Sequence, residues 1–211
     1  MIFEKIKRFF NAVKMSNKDW IKYLESNEDY VEGMRVNPGE MPLVREIPLR
    51  LVKPHSNVLS AGCGAGREVK FLVRELNCKV TAIDISEKMV EWSKKQEKNA
   101  EYIVGDIAKF KSKKKFDYVV CLFNTINQLL NLEERKKFIR ACEFNLNEGG
   151  QLIICSTNMF SSWQSLIFSI FQKERKPCYH PKQIDKWFEG TKFIIEKVKL
   201  NDEMLIKATR R

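Results

Sequence analysis

The chain has 211 residues, 44% of them apolar and 31% charged, which suffices for one full α/β domain with small additions and excludes two comfortable ones. Its formal charge of +11 suits nucleic acid or an anionic membrane surface as partner, and equally suits a surface solvated by lysine, because net charge bears on partners and solubility rather than on fold. The longest apolar stretch, near Leu166 and Phe171, is far shorter than the roughly 20 residues of a membrane span, and no signal peptide is evident, so a cytoplasmic protein without a transmembrane segment is expected.

Residues 2–13 place Ile2, Phe3, Ile6, Phe9, Phe10 and Val13 within an arc of about 120° on a helical wheel. The other positions are basic or polar, which makes a basic amphipathic helix. Such a helix either attaches to a membrane surface or a partner, or packs as a cap on the domain or over its pocket. A second helical stretch follows at 18–25, then a polar, turn-prone segment at 27–39, and a stretch at 41–52 whose helical regularity Pro42 and Pro48 limit. Residues 1–52 are expected to form an N-terminal helical cap ahead of an α/β domain over 53–211.

From Asn57 onward, apolar runs alternate with helical patterns. Strands are expected at 58–60, 79–83, 101–104, 116–123 and 151–156, with helices at 68–76, 87–97 and 132–146 and little helix in the lysine-rich link at 109–115. This alternation implies a doubly wound, Rossmann-like, mostly parallel sheet with helices on both faces. The pattern then changes. A helical insert is expected at about 157–190, with an apolar helix at 160–171 and a short helix opened by Pro181, after which strands at 193–200 and 204–209 flank Asn201-Asp202 as a closing antiparallel hairpin. That makes seven strands. The six cysteines, Cys63, Cys78, Cys121, Cys142, Cys155 and Cys178, show no CxxC pair and no His/Cys ligand spacing, so they read as reduced core thiols and no metal site is expected.

The chemistry concentrates where Val58-Leu59-Ser60-Ala61 breaks into Gly62-Cys63-Gly64-Ala65-Gly66. A strand that ends in a glycine turn before a helix lets a ligand approach the backbone and meet free N–H groups. Asp84 closes the second strand, where a carboxylate can accept from both hydroxyls of a ribose. Asp106 closes the third, placed to accept from an exocyclic amine such as that of adenine. The fourth ends in Cys121-Leu122-Phe123-Asn124, at the mouth where a substrate would lie. Each has a plainer role open to it, since strand-terminal aspartates often cap helices or turns; their succession at consecutive strand ends is what points to one crevice.

On these residues the chain resembles the class I S-adenosylmethionine-dependent methyltransferases from about Val58 to Ser156: Gly62 to Gly66 looks like the family's glycine motif, Ala82-Ile83-Asp84-Ile85-Ser86 with Met89 like its ribose-binding strand end, Gly105-Asp106-Ile107 like its adenine contact, Phe116-Asp117-Tyr118-Val119-Val120 like its fourth strand, and Leu146-Asn147-Glu148-Gly149-Gly150 like the turn before its fifth. The resemblance implies a cofactor, S-adenosyl-L-methionine, held by Ala61, Gly62, Gly64, Gly66, Asp84, Ile85, Met89, Asp106, Ile107 and Leu122, with the glycines admitting its methionine part and Ile85 and Ile107 sandwiching the adenine. One departure stands out. Where the family usually has an acid at the end of the first strand this chain has Ser60, which weakens the contact to the methionine amino group or moves it to another residue.

A nicotinamide-dependent oxidoreductase is disfavoured, because its G-x-G-x-x-G turn needs a small residue where this chain has Arg67. Methyl transfer needs positioning and, for a protonated acceptor, a base; Asn124 and His180 are the candidate catalytic residues, with His180 equally placed to flank the helix opened by Pro181, and Asn127 equally a helix cap. Tyr23, Tyr30 and Trp163 lie in the cap and insert, where this family's specificity resides. A small-molecule acceptor is expected from the near-minimal size and the absence of an Asn-Pro-Pro-Tyr type segment. RNA or protein is the alternative acceptor, favoured by the basic charge, by Lys109, Lys111, Lys113, Lys114 and Lys115, and by the terminal Arg210-Arg211. A non-catalytic cofactor-binding or membrane-associated protein is the third reading.

Overall fold

Short apolar runs bounded by turn residues form the centre of a sheet in the computed structural model, which describes residues 50–122, 125–129, 131–157, 181–200 and 203–211. In chain order the elements are β1 (Asn57–Ala61), α1 (Arg67–Arg74), β2 (Lys79–Asp84), α2 (Glu87–Gln96), β3 (Glu101–Val104), β4 (Phe116–Cys121), α3 (Leu132–Asn145), β5 (Leu146–Thr157), α4 (Pro181–Trp187), β6 (Phe193–Leu200) and β7 (Glu203–Arg210). Single 3₁₀ turns at Ile107–Lys109 and Thr125–Gln128 follow β3 and β4. The seven strands of the described residues run in the order β3-β2-β1-β4-β5-β7-β6. The first five pair in parallel, and β7 lies antiparallel between β5 and β6. The expected doubly wound sheet with a closing hairpin is the one observed.

Alternation along β1 sorts its side chains onto two cores. Leu59 and Ala61 join Ile83, Val119, Leu152 and Ile154 under Phe138 and Ile139 of α3 and Ile184 and Trp187 of α4. Val58 faces the other way, with Val80, Val120 and Ile153 under Val69 and Leu72 of α1. Both strand faces are buried, as a central parallel strand requires. Ser60 shares the α1 side with Val58, one pleat nearer the strand's carboxyl end.

Two of the helices begin where capping side chains satisfy free N–H groups. Ser86 Oγ accepts from Met89 N at 3.2 Å at the start of α2, and Asn131 Oδ1 accepts from Glu134 N at 2.9 Å at the start of α3. Asn145, buried at the far end of α3, donates to Phe110 O and accepts from Ser112 N, both at 2.9 Å, and so pins the β3–β4 link to the helix. That link contains one 3₁₀ turn and no α-helix.

Several boundaries shift by one or two residues, and the largest shift is at the fifth strand. The fifth strand starts at Leu146 rather than at 151, because Leu146 already pairs with Phe116; the register then jumps between Phe116 and Tyr118, and pairing resumes at Gln151. The glycines expected as a turn sit within this irregularity, Gly149 at φ +73°. The fourth strand ends at Cys121 rather than at 123. The N-terminal cap to residue 49 and the insert between 158 and 180 lie outside the described residues. Among the described residues no helix is long and apolar enough to cross a membrane.

Candidate functional site

The carboxyl ends of β1, β2 and β3 are laced together through backbone groups. Gly62 N and Cys63 N both donate to Ile83 O, at 2.8 and 3.1 Å, and Gly105 N donates to Asp84 O at 2.8 Å. The turn after β1 is closed by Gly66 N donating to Cys63 O at 2.9 Å. Glycine is required here for two reasons. Gly62 (φ +78°) and Gly66 (φ +84°) occupy the left-handed region, and a Cβ on Gly66 would stand 2.9 Å from the Cα of Ser93, so a side chain would push α1 away from α2.

Asp84 clasps this turn to the sheet. One carboxylate oxygen accepts from Gly64 N at 2.8 Å and the other from Ser86 N at 3.0 Å. A carboxylate oxygen can accept more than one hydrogen bond. Thr125, from the turn after β4, donates to Gly62 O at 3.3 Å and Leu122 O at 3.2 Å, which fastens the fourth strand end to the same loop. The structure therefore brings together Ala61, Gly62, Gly64, Gly66, Asp84 and Leu122, with Ala61 and Leu122 buried in the walls.

The other expected residues border this group. Ile85, just past the end of β2, is 55% exposed. Met89 is buried under the first turns of α2. Asp106 caps its 3₁₀ turn by accepting from Ala108 N at 2.9 Å and lies 3.6 Å from Lys109 Nζ; Ile107 packs on the core. Asn124, His180, Tyr23, Tyr30 and Trp163 lie outside the described residues, and of Asn127 only the backbone is described.

A residue absent from the expected set proves the most unusual chemically. Glu68, in the first turn of α1, is 4% exposed, and its Oε1 accepts from Ser60 Oγ at 2.6 Å. Burial pushes its carboxyl up from 4.5 to about 7, while the Ser60 hydroxyl pulls it back and the charge of Asp84 adds to the rise. A carboxylate is thus present beside the end of β1 after all, carried by the helix that faces the strand. The sequence signal was Ser60 itself, a small hydroxyl where an acid was expected, opposite a glutamate in an otherwise apolar helix face. Burial also raises the Cys63 thiol, with Asp84 and Glu68 adding to the effect. The five described cysteines are buried thiols.

A seven-stranded sheet with its last strand inserted antiparallel, a glycine turn after β1 and a carboxylate at the end of β2 define a class: the S-adenosylmethionine-dependent methyltransferases of class I, whose cofactor is S-adenosylmethionine. Residues 58–150 of the chain match the family model of a methyltransferase domain. Among curated relatives it is 30% identical over 140 residues to a carboxy-S-adenosyl-L-methionine synthase of Vibrio atlanticus, covering 61% of this chain and 57% of that one. It is also 30% identical over 112 residues to a demethylmenaquinone methyltransferase of Thermotoga maritima, covering 52% and 47%. The chain spans about half the length of the curated relatives it matches. Among solved structures, the N-methyltransferase NodS of Bradyrhizobium japonicum in complex with S-adenosyl-L-homocysteine superposes with a TM-score of 0.67 at 18% identity, covering 93% of this chain and 99% of that one. That likeness is one of fold.

Proposed function

We propose that this chain binds S-adenosylmethionine at the glycine turn and transfers its methyl group to a small-molecule acceptor. The observation that carries the reading is the clasped turn: left-handed glycines joined by Asp84 to the end of β2, with Ile85 exposed beside it. The residues present fit the cofactor. The carboxylate of Asp84 is the acceptor for ribose hydroxyls, Ile85 and Ile107 offer apolar faces to the adenine, and Asp106 is an acceptor for its amine.

Bound there, the cofactor supplies a methyl group on a sulfonium, an electrophile strong enough that catalysis rests on alignment. The glycine turn and Asp84 would hold the cofactor, and Thr125, bonded to Gly62 O and Leu122 O, fixes the end of the fourth strand beside them. Asn124 and His180 are the groups proposed to meet the acceptor, with the cap at 1–52 and the insert at about 157–190 supplying its recognition. A small acceptor is supported by the names of two curated relatives, a carboxy-S-adenosyl-L-methionine synthase and a demethylmenaquinone methyltransferase. A cytoplasmic location belongs to the same proposal.

The basic charge is the argument for RNA or protein instead. It is weakened by geometry, because Lys113, Lys114 and Lys115 precede Phe116 at the amino end of β4, whereas the glycine turn lies at the carboxyl ends. Lys111 and Lys115 are engaged with the exposed ring of Phe144. Radiolabel transfer from S-adenosylmethionine to pooled metabolites, run beside RNA and protein fractions, tests the reading; label confined to RNA or protein would replace it with the alternative.

A further inference from the structure

Burying an acid without a counter-cation is costly, and chains tolerate it where a ligand completes the pair. Among the described residues Glu68 is such an acid. Its side-chain hydrogen bond there comes from a neutral hydroxyl, Ser60 Oγ, and Arg67, its neighbour in sequence, is the weakest of the influences on it. The described groups that act on it from the packed elements do not neutralise it: Asp84 from β2, Cys63 from the turn, Tyr102 from β3 and Cys121 from β4 are acids or neutral. Glu68 from α1 and Asp84 from β2 both act on Cys63 of the glycine turn, so two carboxyls flank the turn read as the cofactor site. Such a site selects a cation.

We propose that Glu68, oriented by Ser60, is the anion that receives the ammonium of the cofactor's amino-acid end, so that binding drives a proton off Glu68 into solvent. This rests on the reading of the turn as a S-adenosylmethionine site. The acid missing from the strand is replaced from the facing helix, and the hydroxyl at Ser60 is its positioning partner rather than a gap. In the ligand-free protein Glu68 is a mixture of protonated and ionised forms near neutrality; the ionised form is the one competent to bind. Apparent affinity therefore follows the ionised fraction.

The test is calorimetric titration of the full chain with S-adenosylhomocysteine, which keeps the ammonium, and with 5′-methylthioadenosine, which lacks it, in buffers of different ionisation enthalpy. S-adenosylhomocysteine is expected to bind about eightfold more weakly at pH 6 than at pH 7.5, as the ionised fraction dictates, and to release about half a proton at pH 7. Methylthioadenosine is expected to show neither effect, a comparison that needs no variant. Glu68→Gln should weaken S-adenosylhomocysteine by about tenfold or more at pH 7.5 and abolish the proton release, and adding Ser60→Asp to that variant should restore affinity. If S-adenosylhomocysteine binds wild type without proton release, or Glu68→Gln leaves affinity and proton count unchanged, the assignment of Glu68 falls while the cofactor site stands. If wild type binds neither nucleoside, the cofactor reading falls and this assignment with it.

Discussion

Replacing Glu68 by Gln should change the pH dependence of stability in the ligand-free protein, in a direction set by burial alone. Gln keeps the shape and can still accept from Ser60 Oγ, so the perturbation removes only the ionisable group. The carboxyl lies at about 7 in the folded chain against 4.5 when solvated. Between those values the folded state holds more protons than the unfolded one, so stability is highest below about pH 4.5 and is lost as pH rises through about 7. The full difference corresponds to roughly 3 kcal/mol, an upper figure because local relaxation and water entry reduce it. Urea denaturation of both proteins at pH 5 and pH 8 measures it: wild type should lose about 2 to 3 kcal/mol more than Glu68→Gln on going from the lower pH to the higher. Parallel losses in the two proteins would show that Glu68 is ionised throughout, and the account of a buried, cation-starved acid would be wrong.

Gly66→Ala should cost about 2 kcal/mol or more in thermal or urea unfolding, since it combines a left-handed backbone with a Cβ driven at the backbone of Ser93; an unchanged Tm would mean that α1 can move off α2 freely. Asp84→Ala should leave Gly64 N and Ser86 N without their acceptor, costing about 1 to 3 kcal/mol, and should weaken S-adenosylhomocysteine by at least about tenfold through the lost ribose contact; equal affinity in the two proteins would place the ribose elsewhere. Asn145→Ala should lower stability by about 2 kcal/mol, because Ser112 N and Phe110 O lose their partner at the end of α3, with no change in cofactor affinity. A shift in affinity would show that the β3–β4 link reaches the site.

The strands were legible because β1, β2 and β4 are buried on both faces and therefore read as short continuous apolar runs, and the hairpin because β6 and β7 are joined at Asn201-Asp202. The start of β5 was not, since the bond between Phe116 and Leu146 is a long-range pairing across an irregular register that local composition does not encode. In the site, the glycines and Asp84 carried their meaning in their spacing. Glu68 did not. A glutamate in the first turn of a helix ordinarily meets solvent and the free N–H groups, and only the packing of α1 on the Ser60 side of β1 turns it inward. Ser60 was visible as a departure, but the side chain compensating for it lay on another element.

The central claim is that the glycine turn after β1 is a S-adenosylmethionine site. Calorimetric titration of the full chain with S-adenosylhomocysteine at pH 7.5 tests it most directly: saturable one-to-one binding, competed by S-adenosylmethionine and sharply weakened in Asp84→Ala, is the expected result. Absence of binding by the folded wild-type chain, or binding indifferent to Asp84→Ala, would contradict it.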